Sequence, residues 1–98
     1  MQIKIHRSCR DVVAICDSNL LGKKFEEGKF QLDVKESFFK GEEAPEEEEI
    51  KKIKDMSSED ATFNIVGKKS VRTAIKAGII SEEAVGEIQG IPFALVLI

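Results

Sequence analysis

The 98-residue sequence is 42% apolar and 34% charged, which predicts one domain, residues 1–98, whose core needs neither disulfides nor a metal. The longest apolar run, residues 91–98, is too short for a membrane-spanning helix, so we expect no membrane association. The net charge of −3 comes from residues 41–60, which carry 9 acidic and 3 basic side chains, so the mildly basic remainder leaves a nucleic-acid partner open.

The sequence also predicts a compartment and a habitat. No apolar signal segment precedes the first alternating residues, so we expect a cytoplasmic protein with free thiols at Cys9 and Cys16. Lys and Glu are abundant while Trp and Tyr are absent, a balance that favours a thermophilic source with ion-pair networks.

Alternating residues at the start of the chain predict a β-hairpin. Ile3 and Ile5 alternate with polar side chains, and the mostly β-branched run 12–16 follows polar, turn-like residues 7–10. Because residues two apart in a strand share a face, His6 is expected to point outward, away from the face that carries Ile3 and Ile5.

A capped turn and a second hairpin are predicted next. Asp17 can cap a short helical turn, and Gly22 can end that turn in the left-handed conformation. Residues 24–26 and 30–34 then flank a turn at 27–28, and apolar side chains alternate with polar ones along the second run.

The middle of the chain predicts a helix at residues 45–56. Residues 37–41 lead out of the sheet toward Pro45, which suits the first helical position because it lacks an N–H group. The glutamates at 46–49 then lie at the positive end of the helix dipole, where we expect solvent to surround them. The apolar stripe of this helix comprises Ile50, Ile53 and Met56.

The last third of the chain predicts a strand, a second helix and two final strands. Residues 61–66 are β-branched enough to favour a strand, although they can instead begin a helix that Gly67 interrupts. A helix is expected at 68–77, with Gly78 just beyond its end. The final strands are expected at 85–88 and 93–98, with a turn at 90–92 between them.

Together these elements predict an α+β fold. We expect a two-layer sandwich in which a mainly antiparallel sheet carries the helices near 45–56 and 68–77 on one face. Fold alone does not decide function, so the functional prediction depends on particular side chains.

The side chains predict no catalytic residue, cofactor or metal site. Six residues separate the two cysteines, with one histidine upstream, and this is not a zinc-ligand spacing. Cys16 is expected to pack as a small hydrophobe in its strand. Of the two candidate reactive thiols, Cys9 is the better one because Arg7 and Arg10 flank it.

A phosphate-binding surface is predicted at the start of the second helix. Gly67 precedes a turn that carries Lys68, Lys69 and later Arg72, so backbone donors and side-chain charge can act together there. Further lysines and two phenylalanines that can stack on bases extend this surface if the fold brings them together: Lys23, Lys24, Lys40, Phe38 and Phe39. The competing interpretation is that both phenylalanines close the core and that the lysines only solubilise the protein.

Several segments resemble, in their order and spacing, a family of small archaeal proteins. These segments are CDSNLLGK at 16–23, Gly28 with the strand after it, FFKG at 38–41, IVGK at 65–68 and GIPF at 90–93. The family is known as domain of unknown function four-two-four, and the resemblance runs from the first strand to the last. It implies an archaeal source, a sheet covered on one side by helices, and no assigned activity or catalytic residue.

The sequence therefore predicts a non-catalytic binding module for RNA or a ribonucleoprotein. A second hypothesis is a protein-interaction subunit that docks a basic protein through the acidic helix or an apolar patch. A third hypothesis is a thiol-dependent enzyme that uses Cys9 or Cys16, which requires an unusually reactive thiol.

Overall fold

Strands and helices follow one another in the order that the apolar patterns predict, with one additional short helix, Glu36–Phe39, and one additional short strand, Glu42–Glu43. The computed structural model describes residues 1–7 and 9–97. Its strands are β1 (Gln2–His6), β2 (Val12–Cys16), β3 (Lys24–Glu27), β4 (Phe30–Asp33), β5 (Glu42–Glu43), β6 (Thr62–Val66), β7 (Gly86–Ile88) and β8 (Ile91–Val96). Its helices are α1 (Glu36–Phe39), α2 (Glu46–Ser58) and α3 (Lys68–Lys76), with 3₁₀ turns at Ser18–Leu20 and Glu82–Ala84.

Six of the described strands form one sheet, in the order β5-β1-β2-β6-β8-β7. Strands β2 and β6 are parallel, and the other neighbours in this sheet are antiparallel. The predicted N-terminal hairpin is confirmed, with Ile3 opposite Ile15. The turn expected at 7–10 includes residue 8, which lies outside the described residues. The predicted second hairpin is also confirmed, as a separate sheet of β3 and β4.

Alternating side chains divide the large sheet into two faces. In β2, Val13 and Ile15 pack with side chains of α2 and α3, whereas Ala14 and Cys16 pack with α1 and the β3–β4 hairpin. The predicted α+β class, the mainly antiparallel sheet and the two helices on one face are therefore confirmed. The smaller layer on the opposite face is an addition that the sequence does not indicate, because α1 has only four residues.

The two longer helices begin and end close to their predicted bounds. Pro45 lies at the N-cap of α2 rather than at its first helical position, and the apolar stripe buries Ile53 and Met56 against the sheet. Helix α3 is followed by Gly78, which adopts the expected left-handed conformation with a φ of +80°. Pro45 therefore marks the start of α2, and Gly78 marks the end of α3.

The last two strands meet at a different turn from the predicted one. The sequence predicts a turn at 90–92, but Ile91 and Pro92 are the first residues of β8. The chain reverses instead at Gln89 and Gly90, whose φ angles of +51° and +77° are typical of a two-residue hairpin loop.

Two further predictions concern the C-terminal half of the chain. The strand expected at 61–66 is confirmed by β6, so the alternative helix there is wrong. The predicted final strand 93–98 ends at Val96, and residue 98 lies outside the described residues. Within residues 1–7 and 9–97, no helix is long and apolar enough to cross a membrane.

Candidate functional site

The carboxyl ends of β2 and β6 form the centre of the candidate site. These strands are adjacent and parallel, so Asp17, which follows β2, and Gly67, which follows β6, lie side by side. The Asp17 N–H donates to the carbonyl oxygen of Val66 at 3.1 Å, and α3 begins directly after Gly67. Ligands of sheets with parallel strands typically bind at such carboxyl ends, because loops and helix N-termini converge there.

The Asp17 carboxylate caps α3 rather than the turn that follows it in sequence. Its oxygens accept hydrogen bonds from the Lys69 N–H at 3.2 Å and from the Ser70 N–H and hydroxyl, both at 2.8 Å. No N–H group of the described 3₁₀ turn Ser18–Leu20 donates a hydrogen bond to this side chain, so the predicted local cap is wrong. A carboxylate at a helix N-terminus is stabilised by the helix dipole, so Asp17 fastens the start of α3 to the end of β2.

Gly67 makes this close approach possible. Its φ is +109°, and a Cβ at this position would lie 2.4 Å from the Asp17 Cγ, which is shorter than any real contact. The Gly67 N–H donates to the carbonyl oxygen of Pro92 at 2.8 Å. Three N–H groups that the predicted phosphate site would use, those of Gly67, Lys69 and Ser70, therefore have partners within the protein.

Three exposed cations surround this capped helix start. Lys68, Lys69 and Arg72 line a cavity of about 480 Å³, here called the α3 cavity. The other residues that line it are Met1, Ser18, Asn19 and the two carboxylates Asp17 and Glu43. None of the three cations makes an ion pair with another described residue. Their charge is therefore available to an anionic ligand.

Glu49 is buried close to this site, although the sequence predicts solvated glutamates at 46–49. Its side chain is 0% exposed, and neither carboxylate oxygen has a hydrogen-bond partner among the described residues. Burial raises the pKa of Glu49 to about 7; the terminal amine and Lys52 oppose this shift, whereas Glu43 and Asp17 add to it. The prediction of a solvated carboxylate is wrong for this residue.

The helical period explains why Glu49 differs from its neighbours. It precedes Ile53 by four residues and Met56 by seven, so it shares the stripe of α2 that faces the sheet. Residues 46–48 point elsewhere and are exposed, as predicted. This spacing is a signal in the sequence that could have identified the buried carboxylate.

Comparison with known proteins identifies a family. The family model described as "Protein of unknown function (DUF424)" matches residues 6–98. The chain belongs to this family. An uncharacterised conserved protein from the archaeon Methanopyrus kandleri has a similar crystal structure, with a TM-score of 0.87 and 26% sequence identity over 97% of this chain and 88% of that chain. A search of curated proteins found no match.

In this member of the family, the phenylalanines predicted to stack on bases lie in the smaller layer. Phe39 is buried, and Phe38 is half-buried and stacks on His6 with ring centroids 4.6 Å apart. His6 does point away from Ile3 and Ile5, and it is half-buried against Phe38 of α1. These positions support the interpretation that both phenylalanines close the core.

The remaining predicted lysines lie apart from the α3 cavity. Lys23 and Lys24 are exposed where β3 begins, and Lys40 is exposed directly after α1. Within the described part of the chain, none of these three lines the α3 cavity. Of the predicted binding residues, the structure brings together Gly67, Lys68, Lys69 and Arg72.

The two cysteines differ in accessibility. Cys16 is buried, as predicted, and burial raises the pKa of its thiol to about 11, with a smaller contribution from the Asp17 carboxylate. It therefore stays protonated at neutral pH. Cys9 is exposed and lines a separate cavity of about 440 Å³. Across residues 1–7 and 9–97, no group of three or more His, Cys, Asp or Glu side chains is arranged to hold a metal ion.

Proposed function

We propose that this protein is a non-catalytic binding module for RNA, free or within a ribonucleoprotein, and that α3 carries the contact surface. The supporting observation is the group of exposed cations Lys68, Lys69 and Arg72, none of which pairs with a carboxylate among the described residues. The phosphate backbone of RNA attracts such cations and releases its counterions when they bind. A cytoplasmic location belongs to the same proposal.

Side chains, rather than the helix backbone, make the proposed contact. Because the Asp17 carboxylate accepts hydrogen bonds from the N–H groups of Lys69 and Ser70, these donors do not reach a phosphate. The guanidinium of Arg72 can hold a phosphate through two parallel N–H bonds, whereas a lysine acts as a point charge. Asn19 lines the α3 cavity and adds a side-chain amide donor.

The proposed contact is to phosphates and not to bases. Phe39 is buried and Phe38 is stacked on His6, so neither ring supports base stacking. Phosphate contacts position a nucleic acid without reading its sequence. We therefore expect salt-sensitive RNA binding with little sequence preference.

Charge reversal on α3 tests this proposal. The affinity for a fluorescent single-stranded RNA of mixed sequence would be measured by anisotropy over a range of salt concentrations. The K68E/K69E variant is compared with K51E/K54E, which changes the net charge equally on exposed positions of α2. With three phosphate contacts, the slope of log affinity against log salt is about −2, and K68E/K69E should weaken binding by at least about tenfold.

The control variant decides whether the effect belongs to α3. We expect K51E/K54E to bind RNA within about threefold of the unmodified protein, because its lysines are not placed around the α3 cavity. Absence of RNA binding at low salt would contradict the proposal. Equal losses in the two double variants would also contradict it, since net charge alone would then account for the binding.

The other two hypotheses have less support from the geometry. A basic protein docked on α2 would meet fewer free carboxylates than the sequence suggests, because Glu46 accepts a hydrogen bond from Lys76 Nζ at 2.7 Å and Glu49 is buried. A thiol-dependent enzyme needs an accessible thiolate, and Cys16 is buried with a raised pKa. Cys9 remains the exposed candidate.

A further inference from the structure

The outer edge of β8 is unpaired along its second half. Strand β7 has three residues, and its first residue, Gly86, lies opposite Phe93, so β8 continues beyond the end of β7. On its inner side, β8 stays paired with β6 as far as Val96. Residues 94–97, here called the open edge, therefore have no partner strand on the outer side among the described residues.

The backbone groups of Leu95 and Leu97 point to this open side. The carbonyl oxygen of Pro92 accepts a hydrogen bond from the N–H of Gly67, which follows β6. Residues two apart in a strand direct their N–H and C=O groups to the same side, so residues at odd positions in β8 direct them outward. A row of unpaired backbone groups is a template for another strand.

The open edge and its surroundings are apolar. Leu95 and Leu97 are 54% and 71% exposed. Leu95 also lines a groove of about 290 Å³, to which Leu32 of β4 and Phe93 of β8 contribute. A strand added beside β8 would place every second side chain on the sheet face that carries Leu95.

The opposite edge of the sheet has a different character. Strand β5 consists of two exposed glutamates, Glu42 and Glu43, and the part of β1 beyond it carries the exposed Lys4. Short strands and charged side chains protect an edge from pairing with another chain. The open edge at 94–97 contains no charged residue, so it lacks this protection.

The charge around the open edge indicates the chemistry of its partner. Residues 77–98 contain no Lys or Arg, whereas Glu82, Glu83 and Glu87 are exposed and have no ion pair with a described residue. The 3₁₀ turn that holds Glu82 and Glu83 ends two residues before Gly86, so it lies where the open edge begins. The same segment, 77–98, of a second copy would bring these carboxylates and no cation to the pairing, and like charges oppose it.

We propose that the open edge of β8 binds an extended segment of a partner protein, in which apolar residues alternate with polar ones and Lys or Arg residues flank them. The segment extends the sheet through hydrogen bonds to the backbone of Leu95 and Leu97. Its apolar side chains lie on the sheet face that carries Leu95, and its cations face the three exposed glutamates. This surface does not include the cations of α3, so the inference does not depend on the proposed RNA contact.

A synthetic peptide tests the inference on the full chain. The probe is a fluorescent peptide of alternating Val and Thr with paired Lys residues at both ends. One control peptide carries Glu in place of Lys, and a second carries Pro at its centre, which removes a ladder donor. We expect the Lys-flanked peptide to bind, and both control peptides to bind at least about tenfold more weakly.

Variants of the protein locate the binding surface. L95P removes an outward N–H without removing a hydrogen bond to β6, and L95K introduces a charge on the edge; either should weaken peptide binding by at least about tenfold. If L95P does not fold by circular dichroism, L95K decides the result. E82K/E83K should weaken binding by about fivefold or more, and K68E/K69E should leave it unchanged.

Three outcomes would overturn the inference. Equal binding of the Lys-flanked and Glu-flanked peptides would contradict the proposal that cations of the partner face the exposed glutamates. Full binding by the Leu95 variants would place the peptide elsewhere on the protein. If the protein sediments as a dimer and L95K dissociates this dimer, the open edge would be assigned to a second copy of this chain.

Discussion

Replacing Glu49 with Gln is expected to change how the stability of the protein depends on pH. Glu49 is 0% exposed, both carboxylate oxygens lack a partner among the described residues, and burial raises its pKa from the usual 4.5 to about 7. The groups that face it are the terminal amine, Lys52, Glu43 and Asp17. The amide of Gln has a similar size and does not ionise, so E49Q removes this titration and little else.

The sign of the effect follows from proton binding. Below pH 4.5 Glu49 is mostly protonated in both the folded and the unfolded chain, so its ionisation does not change the free energy of unfolding there. Between pH 4.5 and about 7 the folded protein keeps a proton that the unfolded chain has released, so the free energy of unfolding falls as the pH rises. The loss is complete above the folded pKa and amounts to about 3 kcal/mol.

Urea unfolding of both proteins between pH 4.5 and 8, followed by circular dichroism, measures this loss. The stability of E49Q minus that of the unmodified protein should rise by about 3 kcal/mol across this range, because groups common to both proteins cancel. E48Q is the matched control, since Glu48 is exposed on the same helix. The stability of E48Q minus that of the unmodified protein should change by no more than about 0.5 kcal/mol across this pH range. A difference for E49Q that does not vary with pH would refute the reasoning, because the carboxylate would then be solvated or paired.

Two further predictions concern the backbone at the site and the thiols. Gly67→Ala forces a Cβ to within 2.4 Å of the Asp17 Cγ at a φ of +109°, and we expect a loss of more than about 1 kcal/mol in the free energy of unfolding. Gly28→Ala, where φ is +60° and nothing lies within 4 Å, should cost less; equal costs would contradict the contact. Iodoacetamide should alkylate Cys9 in the folded protein and Cys16 only after unfolding, which mass spectrometry of peptides measures. Equally fast alkylation of both thiols in the folded protein would contradict the burial of Cys16.

The parts of the fold that the sequence predicts are those with local signals. Strand β6 alternates Phe63 and Ile65 toward the helices, and α3 lies between Gly67 and Gly78, which mark its two ends. Each signal acts within a few residues of the element it defines, so no knowledge of distant contacts is needed. The predicted cations Lys68 and Lys69 share an exposed helical turn for the same local reason.

The parts that escape prediction depend on contacts between distant residues. Asp17 has the local pattern of an N-cap, but the shorter of its two hydrogen bonds from backbone N–H groups comes from Ser70, 53 residues later. The parallel pairing of β2 and β6 creates this contact, and a sequence pattern does not specify which strands become neighbours. Phe38 likewise stacks on His6 across 32 residues, which removes it from the predicted base-binding surface.

The side chains whose pKa values burial raises differ in accessibility from the features proposed to bind ligands. The two groups whose pKa values burial raises most, Glu49 and Cys16, are both buried. A general acid, a base or a nucleophile must touch its substrate, so a perturbed pKa serves catalysis only where the group is accessible. The exposed features include the cations beside the α3 cavity, the apolar open edge of β8 with Leu95 at its centre, and the thiol of Cys9. The ligands proposed for the cations and the open edge are an RNA and an extended basic segment. Binding either of them requires no proton transfer and no change of covalent bonds.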